Sequence, residues 1–423
     1  MPLQTWYKQS FRSAKNLRMS LNRTKTFAGV LLLVFLAQCV WLVHAQLRSE
    51  FGCYPAGNLA RQGRVMEGLA QWRGQRIAGT PATQGADNLR LLVPGLGAVD
   101  YDAYRSPVGY LVASAPVAFW PPEAAAAHEK LWLWLTRVPF LVVGVLLGAS
   151  LWYVTRRLYG NAGGLIALTL YCFSPGMIQS SSEVCRDSEV GAAWGTFGAV
   201  FTAIALAHTL YAPREVVLWN WRRIALLAIS LTLAVGSQFS LVILVPVALA
   251  FLLYLAPQRR AAALVIWAAA CLAAGLALVA AYFFHFQILW QSFRAARWLD
   301  LVPGALTLPA NYHRAARSVL EASPLLAIFF SIAIIAYLFW KRARYFGNTA
   351  PLLVAILCLV LALAAPDFPG RGFLLVAVPF LFAFVAGVFA DLLETRLESG
   401  LRILLPALLS GYALWSLVAL AQV

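Results

Sequence analysis

Residues 137–187 read RVPFLVVGVLLGASLWYVTRRLYGNAGGLIALTLYCFSPGMIQSSSEVCRD, and this stretch sets the class of the fold. An apolar helix opens with Arg137-Val138-Pro139, stops at the basic pair Arg156 and Arg157, turns through Tyr159-Gly160-Asn161, and gives way to a second apolar helix ending at Ser174-Pro175. Two such helices joined by a short basic turn read as a membrane hairpin. The acidic loop SSSEVCRDSE, residues 180–189, comes next. It places Glu183 and Asp187 one helical turn apart beside Arg186 at the mouth of a membrane helix, where ionised groups are retained mostly for function.

The rest of the chain has the same character. Its 423 residues are 61% hydrophobic and only 12% charged, with a mean hydropathy of +0.73, whereas soluble domains carry about 25% charged residues. The expected fold is an all-α polytopic membrane protein. Apolar windows long enough to cross about 30 Å of hydrocarbon recur about eleven times. They cover residues 27–45, 131–154, 163–177, 191–210, 224–235, 239–255, 261–284, 324–340, 350–365, 373–390 and 403–421.

A net charge of +16 would suggest nucleic acid as a partner of a soluble protein, but its distribution points to a membrane and to no nucleic acid. With the N-terminus in the cytoplasm, 18 of the 33 Lys and Arg fall inside, six of them before the first helix, and the short outer loops hold only Arg186 and Arg371. That asymmetry is the positive-inside pattern. Thirteen of the 17 acids then fall outside, so any acid chemistry faces outward. Arg outnumbers Lys 28 to 5, which hints at a GC-rich bacterial genome and a bacterial plasma (inner) membrane. Val43-His44-Ala45 resembles a signal cleavage site, but the apolar run before it is too long, and an uncleaved signal anchor is expected.

The expected organisation is a basic cytoplasmic leader, residues 1–26, followed by a single transmembrane domain, residues 27–423. Residues 46–130 form its first outer loop and 286–323 its second. Within the first, SPVGYLVASAPVAFW (106–120) is short and broken by prolines, so it should lie along the bilayer surface rather than span it. Within the second, QILWQSFRAARWLDLV puts Leu289, Trp290, Phe293 and Leu301 on one side with Arg294 and Arg297 nearby, the pattern of an interfacial helix. The chain has no Walker loop and no GxGxxG. An outward-facing enzyme has no nucleotide sugars to use, so an activated substrate would arrive on a lipid carrier.

In order and spacing, Arg137, the Arg156–Gly160 turn, Ser174-Pro175 and Asp187 resemble the polyprenyl-phosphate-dependent glycosyltransferases of the GT-C class, the group that includes protein O-mannosyltransferases and lipid A aminoarabinose transferases. The long loop after the first helix, and Arg371-Gly-Phe-Leu-Leu before a proline-containing helix, fit that layout more loosely. The resemblance implies transfer of a sugar from a lipid-linked donor to a lipid, glycan or protein acceptor hydroxyl on the outer face of the cell envelope. Such transfer needs a carboxylate to take the acceptor's proton and cations to receive the charge left on the lipid phosphate. Arg suits the second task, because its planar fork makes two bonds to phosphate oxygens and keeps its charge at a low-dielectric interface.

The substrate-binding candidates are Arg371, Arg186, Arg105, Arg294 and Arg297, with His285 as a helper. The family places its principal base in an Asp-Glu pair soon after the first helix, and this chain departs there: residues 49–60 read SEFGCYPAGNLA. Glu50 is therefore the leading catalytic candidate, with Asp102, three residues before Arg105, as a second. Asp187 is read either as orienting the acceptor or contacting a metal, or as capping the next helix. Glu183 and Glu189 are expected to be solvated, and Arg137 either snorkels to the interface or has a structural role. No cofactor is required by this chemistry, and no metal-ligand cluster of His or Cys supports a divalent ion.

Cys39, Cys172, Cys271 and Cys358 lie in helices and should be inert packing. Cys53 and Cys185 fall on the oxidising side near the proposed acids, where they could be bonded or free. Three other readings compete: an O-antigen polymerase or ligase, a secondary transporter, and a catalytically inactive scaffold. The first would keep its main outer loop in the second half of the chain. The second would place ionisable groups near the bilayer midplane, and the helix centres here lack them.

Overall fold

The computed structural model describes residues 3–48, 104–117, 129–182, 189–211, 221–282, 284, 286–299, 301–302, 304–365, 371–395 and 398–421. Among these residues all regular structure is helical. The α-helices are α1 (Leu3–Arg48), α2 (Val108–Ser114), α3 (Glu129–Cys172), α4 (Pro175–Ser182), α5 (Val190–Thr209), α6 (Trp221–Ser237) and α7 (Leu244–Leu255). They continue with α8 (Arg260–Ala281), α9 (Phe286–Ala295), α10 (Pro309–Ala322), α11 (Pro324–Phe339), α12 (Phe346–Ala364), α13 (Phe373–Leu393) and α14 (Glu398–Ala421). Seven helices among the described residues are long and apolar enough to cross a membrane, and α10 with α11 forms a further pair bent by 110° at Ser323. The chain is a multi-pass membrane protein, and each apolar window of the sequence falls on a helix.

The hairpin read from residues 137–187 is present as the two arms of α3. They part at Gly160, whose φ of 75° and ψ of −171° suit only glycine. A Cβ on Gly148 would touch the Tyr171 ring at 2.8 Å and one on Gly164 the Arg156 Cβ at 2.7 Å, so the arms run antiparallel at close range. Tyr171 Oη donates to the Gly144 carbonyl at 2.6 Å, tying the arms together. The turn itself is pinned from outside, because Tyr159 Oη donates to the Gly347 carbonyl at 2.5 Å. The second arm ends where Pro175 stops it, and the Cys172 carbonyl accepts instead from Gln38 Nε2 of α1 at 3.1 Å.

Helix α13 is the hub. Every residue from Phe373 to Ala390 is buried except Leu374, which is partly so, and the helix packs on α3, α5, α10, α11, α12 and α14. Lipid tails are as apolar as leucine, so this burial is not driven by escape from water, and tight van der Waals contact has to hold it. Aromatic rings supply the contact: Phe380 meets Phe197 and Phe201 of α5 at 5.4 and 6.0 Å, and Phe384 meets Phe330 and Tyr337 of α11 at 5.9 and 5.6 Å. Helices α8, α11 and α14, by contrast, turn Leu272, Ile335 and Ile403 outward.

Helix α5 packs closely on α6. Gly191 and Gly195 form a GxxxG step on α5, and Gly198 follows. A Cβ on Gly195 would lie 2.4 Å from the Ala234 backbone nitrogen and 2.7 Å from the Ser230 carbonyl, and one on Gly191 would lie 2.8 Å from Ser237 Oγ. This contact sets the head of α5 beside the tail of α6, at the end of the bundle opposite the Gly160 turn.

Candidate functional site

Glu189 immediately precedes α5, and the α5–α6 contact holds it near the Gly236–Phe239 turn at the end of α6. The segment before α2 is stitched to that same turn. Ser106 donates to the Gly236 carbonyl twice, from its backbone nitrogen at 3.0 Å and its hydroxyl at 2.8 Å, and Phe239 N donates to the Tyr104 carbonyl at 2.8 Å. With residues 104 and 106 fixed, Arg105 is aimed at Glu189, and its Nη2 lies 3.7 Å from Glu189 Oε1. The Ser106–Val117 stretch thus forms a short helix and a 3-10 turn docked on the bundle, with Val108, Tyr110 and Ala113 buried, and it does not span.

The third component comes from the turn before α13. Arg371 N donates to both oxygens of Glu189 at 3.1 and 3.2 Å, and Gly372 N donates to Oε2 at 3.2 Å. Two consecutive N–H groups can converge on one carboxylate here because Gly372 adopts φ 47° and ψ −123°. The Arg371 side chain leaves in another direction and donates from Nη2 to Gln179 Oε1 of α4 at 2.6 Å. A Cβ on Gly176 would sit 2.8 Å from Arg371 Nη1 and 2.7 Å from the Ala322 backbone, so the missing side chain makes room for the guanidinium between α4 and the end of α10. Ser174 Oγ secures that junction by donating to the Ala322 carbonyl at 2.6 Å.

Glu189 is 9% exposed, which corrects the expectation that it is solvated. Burial pushes its carboxyl up from the ordinary value, and Arg105, the Gly372 and Arg371 N–H groups and the Arg371 charge pull the other way. An acid with this many donors is engaged in holding two arginines in place. Its carboxylate is occupied by the Arg105 guanidinium and by the Arg371 and Gly372 N–H groups.

Arg297 joins the same neighbourhood. Its Nη1 donates to Tyr104 Oη at 3.1 Å, and its guanidinium lies 5.8 Å from that ring's centroid. Trp298 packs on Phe239 at 5.2 Å, which fixes this segment on the α6 turn. Arg294 does not join it, because it is exposed on α9 and stacks over Trp290 at 5.0 Å. Helix α9 carries Leu289, Trp290 and Phe293, while Leu301 lies beyond its end at Ala295. Leu289 is buried and Phe293 half-buried, but Trp290 and Leu301 are exposed, so the helix seats two apolar residues inward and presents the tryptophan with Arg294 outward.

Beside the Arg371 pocket, an apolar groove of about 390 Å³ runs between α10, α11 and α12. Val319 and Leu326, on either side of Ala322 in sequence, line it together with Phe330, Leu359 and Leu363. The 110° bend between α10 and α11 falls at Ser323, whose Oγ is hydrogen-bonded to Tyr412 Oη at 2.9 Å. The groove and the Arg371 pocket thus share α10: Ala322 meets the pocket at Gly176, and Val319, three residues before it, lines the groove.

Of the residues singled out in the sequence, Arg105, Arg371 and Arg297 are brought together and Arg294 is not. Glu50, Asp102, Asp187, Arg186 and His285 lie outside the described residues, as do Cys53 and Cys185. Cys39, Cys172, Cys271 and Cys358 are free thiols within helices. Arg137 is buried, with its guanidinium 5.9 Å from the Phe140 ring centroid, so it does not snorkel. The sequence reading missed Glu189 and Gln179. The available signal was the GxxxG step directly after Glu189, which marks a helix start packed against another helix. Among the described residues no group of three His, Cys, Asp or Glu side chains could hold a metal ion.

No protein-family model matches the chain, and no curated protein matches its sequence. Among solved structures it is similar to the archaeal oligosaccharyltransferase AglB from Archaeoglobus fulgidus in complex with an inhibitory peptide and a dolichol-phosphate, with a TM-score of 0.53 and 18% identity over 94% of this chain and 54% of that one. The Archaeoglobus fulgidus oligosaccharyltransferase complex with Zn and sulfate gives a TM-score of 0.48 and 16% identity over 76% of this chain and 45% of that one. The chain thus spans about half the length of AglB, and at this identity the likeness is one of fold. The membrane fold is of the GT-C type.

Proposed function

We propose that this protein is a GT-C-type glycosyltransferase that moves a sugar from a polyprenyl-phosphate donor to an acceptor hydroxyl at the outer face of a bacterial inner membrane, with its N-terminus in the cytoplasm. The supporting observation is that Arg371 and Arg105 share Glu189 as a partner and that α10, whose Ala322 closes the Arg371 pocket at Gly176, also lines the apolar groove. A lipid-linked phosphate presents a doubly demanding ligand, an anion attached to a long apolar tail. The arginine pair suits the first part and the groove the second. The AglB complex holds a dolichol-phosphate, a ligand of the same chemical kind.

In the reaction the acceptor oxygen attacks the anomeric carbon, and the bond from that carbon to the phosphate oxygen breaks. The lipid phosphate departs with the electron pair. Arg371 and Arg105 stabilise this growing charge, and Glu189 keeps both guanidinium groups oriented before substrate arrives, so little reorganisation is needed at the transition state. The acceptor's proton goes to a carboxylate, for which Glu50 remains the first candidate, with Asp102 and Asp187 as the others.

The test is to incubate the purified protein in lipid with a panel of polyprenyl-phosphate sugars and acceptor hydroxyls. Wild type should transfer from at least one donor, and Glu50→Gln should lose about 10²-fold or more, as for removal of a general base. Absence of transfer from every donor, with the protein folded and binding none of them, would overturn the reading.

A further inference from the structure

At the opposite end of the bundle a second apolar groove, about 480 Å³, is walled by α1, the second arm of α3, and α14. We propose that it is a binding site for one acyl chain of an anionic phospholipid, from the leaflet at the Gly160 end, whose headgroup phosphate is held by Arg402. This site goes beyond the transferase reading and does not depend on it.

Three observations carry the assignment. The groove begins at Phe27, Ala162 and Arg402, where all three helices enter the apolar zone, and follows α14 as far as Ala413. From Arg402 to Ala413 the helix rises about 16 Å at roughly 1.5 Å per step, which matches one leaflet of a hydrocarbon core about 30 Å thick. The walls are hydrocarbon for most of that depth, and the hydroxyl of Thr169, one of the few polar lining groups, is already given to the Leu165 carbonyl at 2.9 Å.

The second observation is charge. Arg402 is exposed at the rim, and Arg23 on α1, also exposed, lies one turn before Phe27 with Lys25 between them. Arg157 is exposed just before the Gly160 turn. Arg402 in the lining, with Arg23 and Lys25 just before Phe27 on α1, favours a negatively charged headgroup over a zwitterionic one, and Glu394, next to the lining Leu393, is already paired with Arg342. The third is the helix that closes the slot: α14 is the least buried of the candidate spans, and it meets α1, α3 and α13 only lightly. With so little protein contact along its length, a resident acyl chain would complete the packing between α14 and the bundle.

The full chain would be purified in mild detergent, exchanged into bilayer discs containing equal phosphatidylglycerol and phosphatidylcholine, released, and weighed intact by native mass spectrometry. Wild type is expected to retain one phosphatidylglycerol in preference to phosphatidylcholine. Arg402→Glu should cut that retention about tenfold or more through loss and reversal of one headgroup contact. Leu409→Trp, which fills the slot and leaves the rim intact, should abolish it. Equal retention of both lipids by wild type would overturn the proposal, as would wild-type retention in both variants. Size-exclusion profiles of the variants identify any loss due to unfolding, and the mass readout is independent of sugar transfer.

Discussion

Glu189 and Arg371 meet through backbone and carboxylate, with the arginine side chain left to point elsewhere. The carboxylate takes the Arg371 N–H at 3.1 and 3.2 Å, while the guanidinium reaches Gln179. A salt bridge between the two side chains, of the kind Arg105 makes with Glu189, would have turned the Arg371 guanidinium away from Gln179. Binding the backbone instead fixes the direction of the side chain and keeps its charge available to an anionic ligand.

Replacement of Arg371 separates charge from geometry. Arg371→Ala should lower kcat/KM for the lipid-linked donor by about 10²–10³-fold, the range for losing one oriented donor to developing charge. Arg371→Lys should recover only part of it, because a point charge cannot make the paired bonds of a guanidinium. Donor titrations of transfer rate check this, and equal activity of Arg371→Ala and wild type would remove Arg371 from the site.

Gly372→Ala tests the turn. A side chain at φ 47° and ψ −123° is strained by about 1–3 kcal/mol, and relief of that strain would rotate one of the two N–H groups off Glu189. The expected result is a lowered unfolding midpoint together with a raised donor KM, although no atom that meets substrate has changed. A variant with wild-type stability and KM would show that the turn tolerates a side chain.

Much of the fold was legible because it rests on local signals. Hydropathy marks each membrane helix, and Gly160 marks the hairpin turn. Hydropathy marks both α13 and α14 as membrane helices and does not say which lies at the centre; that place is set by aromatic contacts of α13 with α5 and α11 that only the fold creates. The arginines of the site could be picked out for their charge near a membrane boundary. Glu189 could not, because three acids share its loop and its burial is produced by Arg105 and by Arg371 and Gly372, which are remote in sequence. The split between Leu289, turned inward, and Trp290, turned outward, likewise depends on where α9 docks.

Gly195→Ala should act at a distance. The added methyl group would press on the α6 backbone at Ala234, which cannot yield as a side-chain tip could, and overpacking of this kind costs about 1–3 kcal/mol. Separating α5 from α6 also separates Glu189 from the Gly236 turn that carries Arg105. Thermal unfolding and donor KM should therefore worsen together. Gly275→Ala on α8, where nothing lies within 4 Å of the new methyl group, is the control and should leave both unchanged.

The buried carboxylate makes a prediction about pH whose sign follows from its environment. Burial raises the folded-state pKa of Glu189 above the unfolded value, so over the window between the two the folded protein binds more protons than the unfolded chain. Stability from this group is then fully present below the unfolded value, about 4.3, and falls as pH rises through the folded one. Activity should run the other way: the ionised form attracts Arg105 and receives both N–H groups, and protonation as pH falls loosens both arginines. Glu189→Gln removes the titration. Its unfolding midpoint should lack the wild-type decline across the window, and its transfer rate should be low and flat where wild type rises with pH. Parallel curves for the two proteins, in either measurement, would mean that Glu189 does not change its charge there and that another group governs the pH response.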